Sequence, residues 1–111
     1  MAAGDLFITG DVMLGSGRRM LWGNVQLDGS NPTPVNLSAY LSAIEGGTVS
    51  MDGTGTPGDD PVALTNVNTG ANLNVYAWKH DGTDPTLVAS TDNARIVNWI
   101  AIGMTIAVDN G

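Results

Sequence analysis

His80 is the single histidine of this 111-residue chain, and it stands in "KHDGTD" (79–84) with Asp81 beside it. Histidine next to a carboxylate suits proton transfer, and acyl-transfer chemistry would add a serine on a sharp turn. The sequence contains no such nucleophile elbow, and Asp-Gly at 81–82 reads as a hairpin turn between two strand-like stretches. No catalytic residue is assigned, and a non-enzyme is expected. "GSGRR" (15–19) has the outline of a phosphate-cradling loop, but such a loop opens a helix, and here strand-like "MLWGNVQL" follows. A Gly-rich turn is the expectation. Arg18 and Arg19 are two of only four Lys and Arg residues against eleven Asp and Glu. Such guanidinium groups pair with an acidic neighbour or sit at an interface. Asp52, Asp59 and Asp60 have the chemistry to hold a hard cation, but their spacing is not that of an EF-hand loop, so a solvated acidic loop is expected over 52–61. Neither metal nor cofactor is called for. "NLS" (36–38) fits the glycosylation acceptor pattern, which matters only on a eukaryotic secretory route.

The aromatic residues carry more information. In "NLNVYAWK" (72–79), Leu73, Val75 and Ala77 share one side of a strand, leaving Asn72, Asn74, Tyr76 and Trp78 on the other. In "RMLWGNVQL" (19–27), Leu21, Gly23, Val25 and Leu27 share one side, leaving Met20, Trp22, Asn24 and Gln26. Two strands thus place an aromatic on their more polar face. Trp, Tyr, Met and Arg are enriched where proteins meet, so Arg18, Arg19, Met20, Trp22, Tyr76 and Trp78 are the candidate interface with another subunit or a protein partner. The alternative is a sugar platform of Tyr76, Trp78, His80 and Asp81, with the rings stacking on a glycan.

These residues must be positioned by a frame, and the C-terminal run "RIVNWIAIGMTIAV" (95–108) is its most apolar part. It is too short to span a bilayer, which takes about 20 apolar residues. Its β-branched residues favour a strand over a helix. Alternation puts Ile96, Asn98, Ile100, Ile102, Met104, Ile106 and Val108 on one face and Val97, Trp99, Ala101, Gly103, Thr105 and Ala107 on the other. Neither face is polar. A second sheet is expected over one face, and a helical turn or another subunit over the other, with Trp99 and Ile100 both buried.

Length and composition agree with one all-β domain, 1–111. Gly, Asn, Asp, Thr and Pro punctuate short apolar stretches about every ten residues, the pattern of an antiparallel sandwich or barrel. Strands are expected at 5–9, 19–28, 34–37, 47–53, 61–67, 72–79, 86–90 and 95–108. In "NLSAYLSAIEGG" (36–47), Leu37, Tyr40, Leu41 and Ile44 fall at helical spacing, with Asn36 or Ser38 as cap and Gly46 as stop. One or two helical turns are expected there. The formal net charge of −7 disfavours nucleic acid and anionic membranes as partners. No cysteine is present, which excludes disulfides and thiolate metal sites. "MAAGDLFITG" has neither a basic start nor an apolar core, so a cleaved signal is not expected.

The succession "VQLDGSNPTPVNLSAYLSAIEGGTVSMDG", "GDDPVALTNVNTGANLNVYAWKHDGTDPTLVAST" and "VNWIAIG" resembles small virion structural proteins of tailed phages, many of which begin in the manner of "MAAGD". The strand order, and the Trp99-x-Ala101-x-Gly103 ending above all, is similar to the H-type lectin plan, a six-stranded sandwich that assembles as a trimer. The resemblance implies a homotrimeric capsid decoration protein, made in the host cytoplasm and bound to the major capsid protein on the virion surface. It also implies, as the alternative, a carbohydrate-binding module of a phage tail or secreted lectin. The chain departs from the lectins in lacking cysteine, and none of their sugar-contacting residues is carried over.

Overall fold

A computed structural model describes residues 2–52, 61–82 and 86–106. The acids Asp59 and Asp60 and the expected strand end at 107–108 lie outside the described residues. The chain forms β1 (Leu6–Met13), β2 (Arg18–Gln26), β3 (Thr33–Asn36), β4 (Leu41–Met51), β5 (Ala63–Thr69), β6 (Asn72–His80), β7 (Leu87–Ala89) and β8 (Ile96–Thr105). The first sheet runs β1-β2-β8-β4, and the second runs β3-β6-β5 with β7 also on β6. Every pairing is antiparallel. This is the all-β sandwich expected from the turn spacing, with all eight expected strands present.

Alternation explains how the layers join. β2 turns Leu21 and Val25 inward, β8 turns Val97, Trp99 and Ala101, and β6 answers with Leu73, Val75 and Ala77. Val35, Leu37, Leu41 and Ile44 complete the same core. β3 and β7 share one edge of β6, pairing with its first and last residues respectively. Between them the backbone of Ala77 is satisfied by other means. Its N–H donates to Asn31 Oδ1 at 2.8 Å, and its carbonyl accepts from the Ser90 N–H at 2.8 Å.

The helical expectation for 36–47 is met by a single hydrogen-bonded turn at 37–41 and corrected beyond it, where the chain continues as strand. Asn36 does cap a turn, its Oδ1 accepting from the Ser38 N–H at 3.0 Å. The Tyr40 and Leu41 N–H groups both bond the Leu37 carbonyl at 2.9 Å, after which β4 begins at Leu41. The spacing of Leu37, Leu41 and Ile44 has two non-helical causes. The tight turn separates the first pair, and a register shift between Leu41 and Ala43 separates the second, so that both 41 and 44 face the core.

β8 is covered on one face only. Trp99 is 1% exposed, as expected, whereas Ile100 is 44% exposed, because among the described residues no helical turn lies over it. Among the described residues of one chain, nothing covers the second apolar face of this central strand.

Candidate functional site: two outer sheet faces

The register of the first sheet sets side chains in rungs across its outer face. Gly10, Trp22, Ile100 and Thr48 form one rung, and Val12, Met20, Ile102 and Gly46 the next. The Trp22 indole lies flat on Gly10, 1.8 Å from where a Cβ at residue 10 would stand. Glycine is therefore what gives the ring its seat. Val12, Trp22, Ile100, Ile102 and Met104 remain between 36% and 44% exposed. A contiguous apolar patch of this kind marks a contact surface, unlike scattered single residues.

Polar groups close both ends of the patch. At one end Asn24 faces Asn98, and Asn24 Nδ2 donates to Asn98 Oδ1 at 2.5 Å. At the other, Arg18 reaches from β2 over β8 to Glu45 on β4, with Nε at 2.9 Å from Oε1 and Nη2 at 3.0 Å from Oε2. Ile100 and Asn98 stand between two shallow depressions, one beside Trp22 and Thr9, the other beside Thr48 and Ser50.

Arg19 points the other way. It holds Asp11 through Nε and Nη2 at 2.7 and 2.6 Å, and its guanidinium lies 5.2 Å from the Tyr40 ring centre. Both arginines are thus ion-pair donors to acidic neighbours of the same chain. "GSGRR" is the β1–β2 hairpin turn, with Ser16 and Gly17 at φ of 64° and 75°, and strand rather than helix follows it.

Tyr76 and Trp78 lie on the outer face of the second sheet, across the core from Trp22. Their rings are stacked, 6.1 Å apart with planes 10° from parallel. Trp78 Nε1 donates to Thr65 Oγ1 at 2.8 Å, and Asn74 Nδ2 to Thr69 Oγ1 at 3.2 Å. His80 ends the same face, and His80 and Asp81 are exposed. β6 and β7 pair antiparallel on either side of the expected Asp81-Gly82 turn, with His80 opposite Leu87 and Gly82 at φ of 97°. The six expected interface residues therefore do not form one surface. Arg18, Met20 and Trp22 share one outer face, Tyr76 and Trp78 share the opposite one, and Arg19 caps the end of the core. Ile100, Ile102 and Met104 were placed together by alternation, yet only the register shows that they adjoin Met20 and Trp22.

Among the described residues, three carboxyls are held below their ordinary values. The Arg19 hydrogen bond lowers Asp11, and the Arg18 hydrogen bond lowers Glu45. At Asp28 burial pushes upward, but hydrogen bonds from the Ser30 hydroxyl and N–H and from Thr33 outweigh it. A carboxyl depressed by folding contributes stability above its unfolded pKa and loses it as pH falls through its folded pKa. Melting temperature should therefore hold level from pH 8 to about 5 and fall below about pH 4, where free carboxyls protonate. Asp28→Asn should flatten that fall. A melting curve that changes chiefly near neutral pH would contradict these assignments.

Among the described residues, no group of three His, Asp or Glu side chains is placed to hold a metal ion. No helix among them is long and apolar enough to cross a membrane. No protein-family model, curated protein or solved structure matches this chain.

Proposed function

We propose that this chain is a non-enzymatic structural protein of a bacteriophage virion, most concretely a homotrimeric capsid decoration protein that binds the shell and strengthens it. The observation that carries this reading is the open apolar face of the first sheet, with Val12, Trp22, Ile100, Ile102 and Met104 uncovered around a central strand. A face of that kind is completed by assembly. Action is by binding alone: each attached oligomer adds buried area across neighbouring shell subunits, and several linked copies multiply weak contacts into firm attachment. The charge of −7 keeps the protein off packaged DNA. The resemblance to small tailed-phage virion proteins supplies the virion and its major capsid protein as the setting.

The test is to add purified protein to phage shells lacking it, and to measure co-sedimentation and the shells' resistance to heat. Saturable binding with a raised disruption temperature is expected, and His80→Ala should bind equally well. Absence of binding to shells would overturn the decoration reading. The stacked Tyr76–Trp78 pair favours a second reading, a carbohydrate-binding module using Tyr76, Trp78, His80 and Asp81. Sugar binding on a glycan array that Trp78→Ala and His80→Ala abolish, with no shell binding, would choose that reading instead.

A further inference from the structure

We infer that the outer face of the first sheet is where copies of this chain join one another, and that the Asn24–Asn98 amide pair sets the register of that contact. This deepens the building-block reading and rests on it, naming a second copy as the occupant of the open face.

Charge is the first argument. The chain carries eleven acids against four Lys and Arg, so most approaches of one copy to another are repulsive. Among the described residues, the face carries no unpaired charge between the Asn24–Asn98 rung and the Arg18–Glu45 pair. Arg18 and Glu45 neutralise each other within the chain. Here two copies meet without like-charge contact.

Size is the second argument. Four strands about 4.8 Å apart and about six residue steps of 3.3 Å, from Asn24 to Arg18, give a projected footprint of about 380 Å². Side-chain relief raises the accessible area above that projection, into the range of the smaller protein–protein contacts, which linked copies reinforce. Relief itself is the third argument. The Ile100–Asn98 ridge and the depressions on either side of it belong to one face, so each copy presents both a projection and a place to receive one. A closed ring, a trimer included, needs that combination.

The amide pair follows from the same geometry. Asn24 and Asn98 satisfy one hydrogen bond between themselves, leaving Asn98 Nδ2 and Asn24 Oδ1 without a partner among the described residues and facing outward at the border of an apolar field. Covering them out of register would strand polar groups, which costs more than the net worth of one hydrogen bond. A buried asparagine selects oligomer state in coiled coils by that logic.

Analytical ultracentrifugation of the full chain is the experiment, with native mass spectrometry for stoichiometry. Wild type should associate at micromolar concentration, and Ile100→Asp should weaken association at least about 30-fold, as for a desolvated unpaired charge. Trp78→Ala, on the opposite face, should associate like the parent. The Asn24→Leu/Asn98→Leu double variant should still associate but spread over several stoichiometries. Should Ile100→Asp not fold, peroxide oxidation of Met20 and Met104 in wild type gives the same answer, slowing on association and quickening on dilution. A monomeric wild type, or dissociation by Trp78→Ala and not by Ile100→Asp, overturns the interface. A double variant with the parent's single stoichiometry overturns the register role. Shell binding is read separately: a monomer that binds shells refutes this inference and leaves the decoration reading standing, and an oligomer that ignores shells does the reverse.

Discussion

Trp99→Asp should yield no folded protein, while Ile100→Asp, one residue along the same strand, should yield a folded chain defective only in assembly. Trp99 is 1% exposed between Gly23 on β2 and Val49 on β4, and it is the largest fully buried side chain of the core. The two arginines of β2 are already held by Glu45 and Asp11. An unpaired buried charge costs several kcal/mol, and deleting a buried tryptophan side chain forfeits about 3–5 kcal/mol by itself. Together they approach or exceed the ~5–15 kcal/mol that holds a domain folded. Ile100 points to solvent in the single chain, so the same charge there replaces hydration-exposed apolar surface and leaves the core intact. Soluble yield and circular dichroism melting check both. A cooperative melt for Trp99→Asp near that of the parent would show that β8 turns the other face inward.

That contrast was partly legible in the sequence. Alternation in "RIVNWIAIGMTIAV" separates Trp99 from Ile100 and shows that both faces are apolar, but it does not say which face the second sheet takes. The answer depends on β2, whose Leu21 and Val25 pair beside Ala101 and Val97, and pairing partners 72 or more residues apart leave no local signature. The same limit explains the scattered interface candidates. Trp22 and Trp78 each sit on a more polar strand face, and each does lie on an outer face, yet local pattern cannot tell that the two faces look in opposite directions. The Leu37, Leu41 and Ile44 spacing misled for a different reason: a turn and a bulge reproduced by irregularity the intervals a helix produces by periodicity. "GSGRR" was readable because its chemistry is local, with glycine where φ is positive and strand residues immediately after.

Gly103→Ala and Gly23→Ala should be almost as damaging as the core charge, although each adds a single methyl group. A Cβ at 103 would stand 2.1 Å from the Ala43 carbonyl oxygen, and one at 23 would stand 1.9 Å from that of Phe7. Both obstacles are backbone, so no side-chain rotation relieves them. Both glycines also lie against register shifts, Gly23 opposite Ile8 where β1 slips before Gly10, and Gly103 opposite Ile44 where β4 slips before Gly46. There the bulged strand carries its carbonyl over the neighbouring Cα, which only a residue without a side chain permits. Adding the methyl must push an edge strand off its ladder, at the upper end of the range for overpacking, about 3 kcal/mol or more. At about 4 °C per kcal/mol for a domain of this size, the melting temperature should fall by at least about 12 °C. Gly46→Ala is the comparison, because nothing lies within 4 Å of its added Cβ. With fewer backbone conformations open to the unfolded chain, that variant should match the parent or gain about 0.4–1 kcal/mol. If Gly103→Ala melts within a degree or two of the parent, the β4 bulge does not pass over Gly103. Gly46 would then lose its place opposite Ile102, and the outer apolar face would lose the register that gathers it.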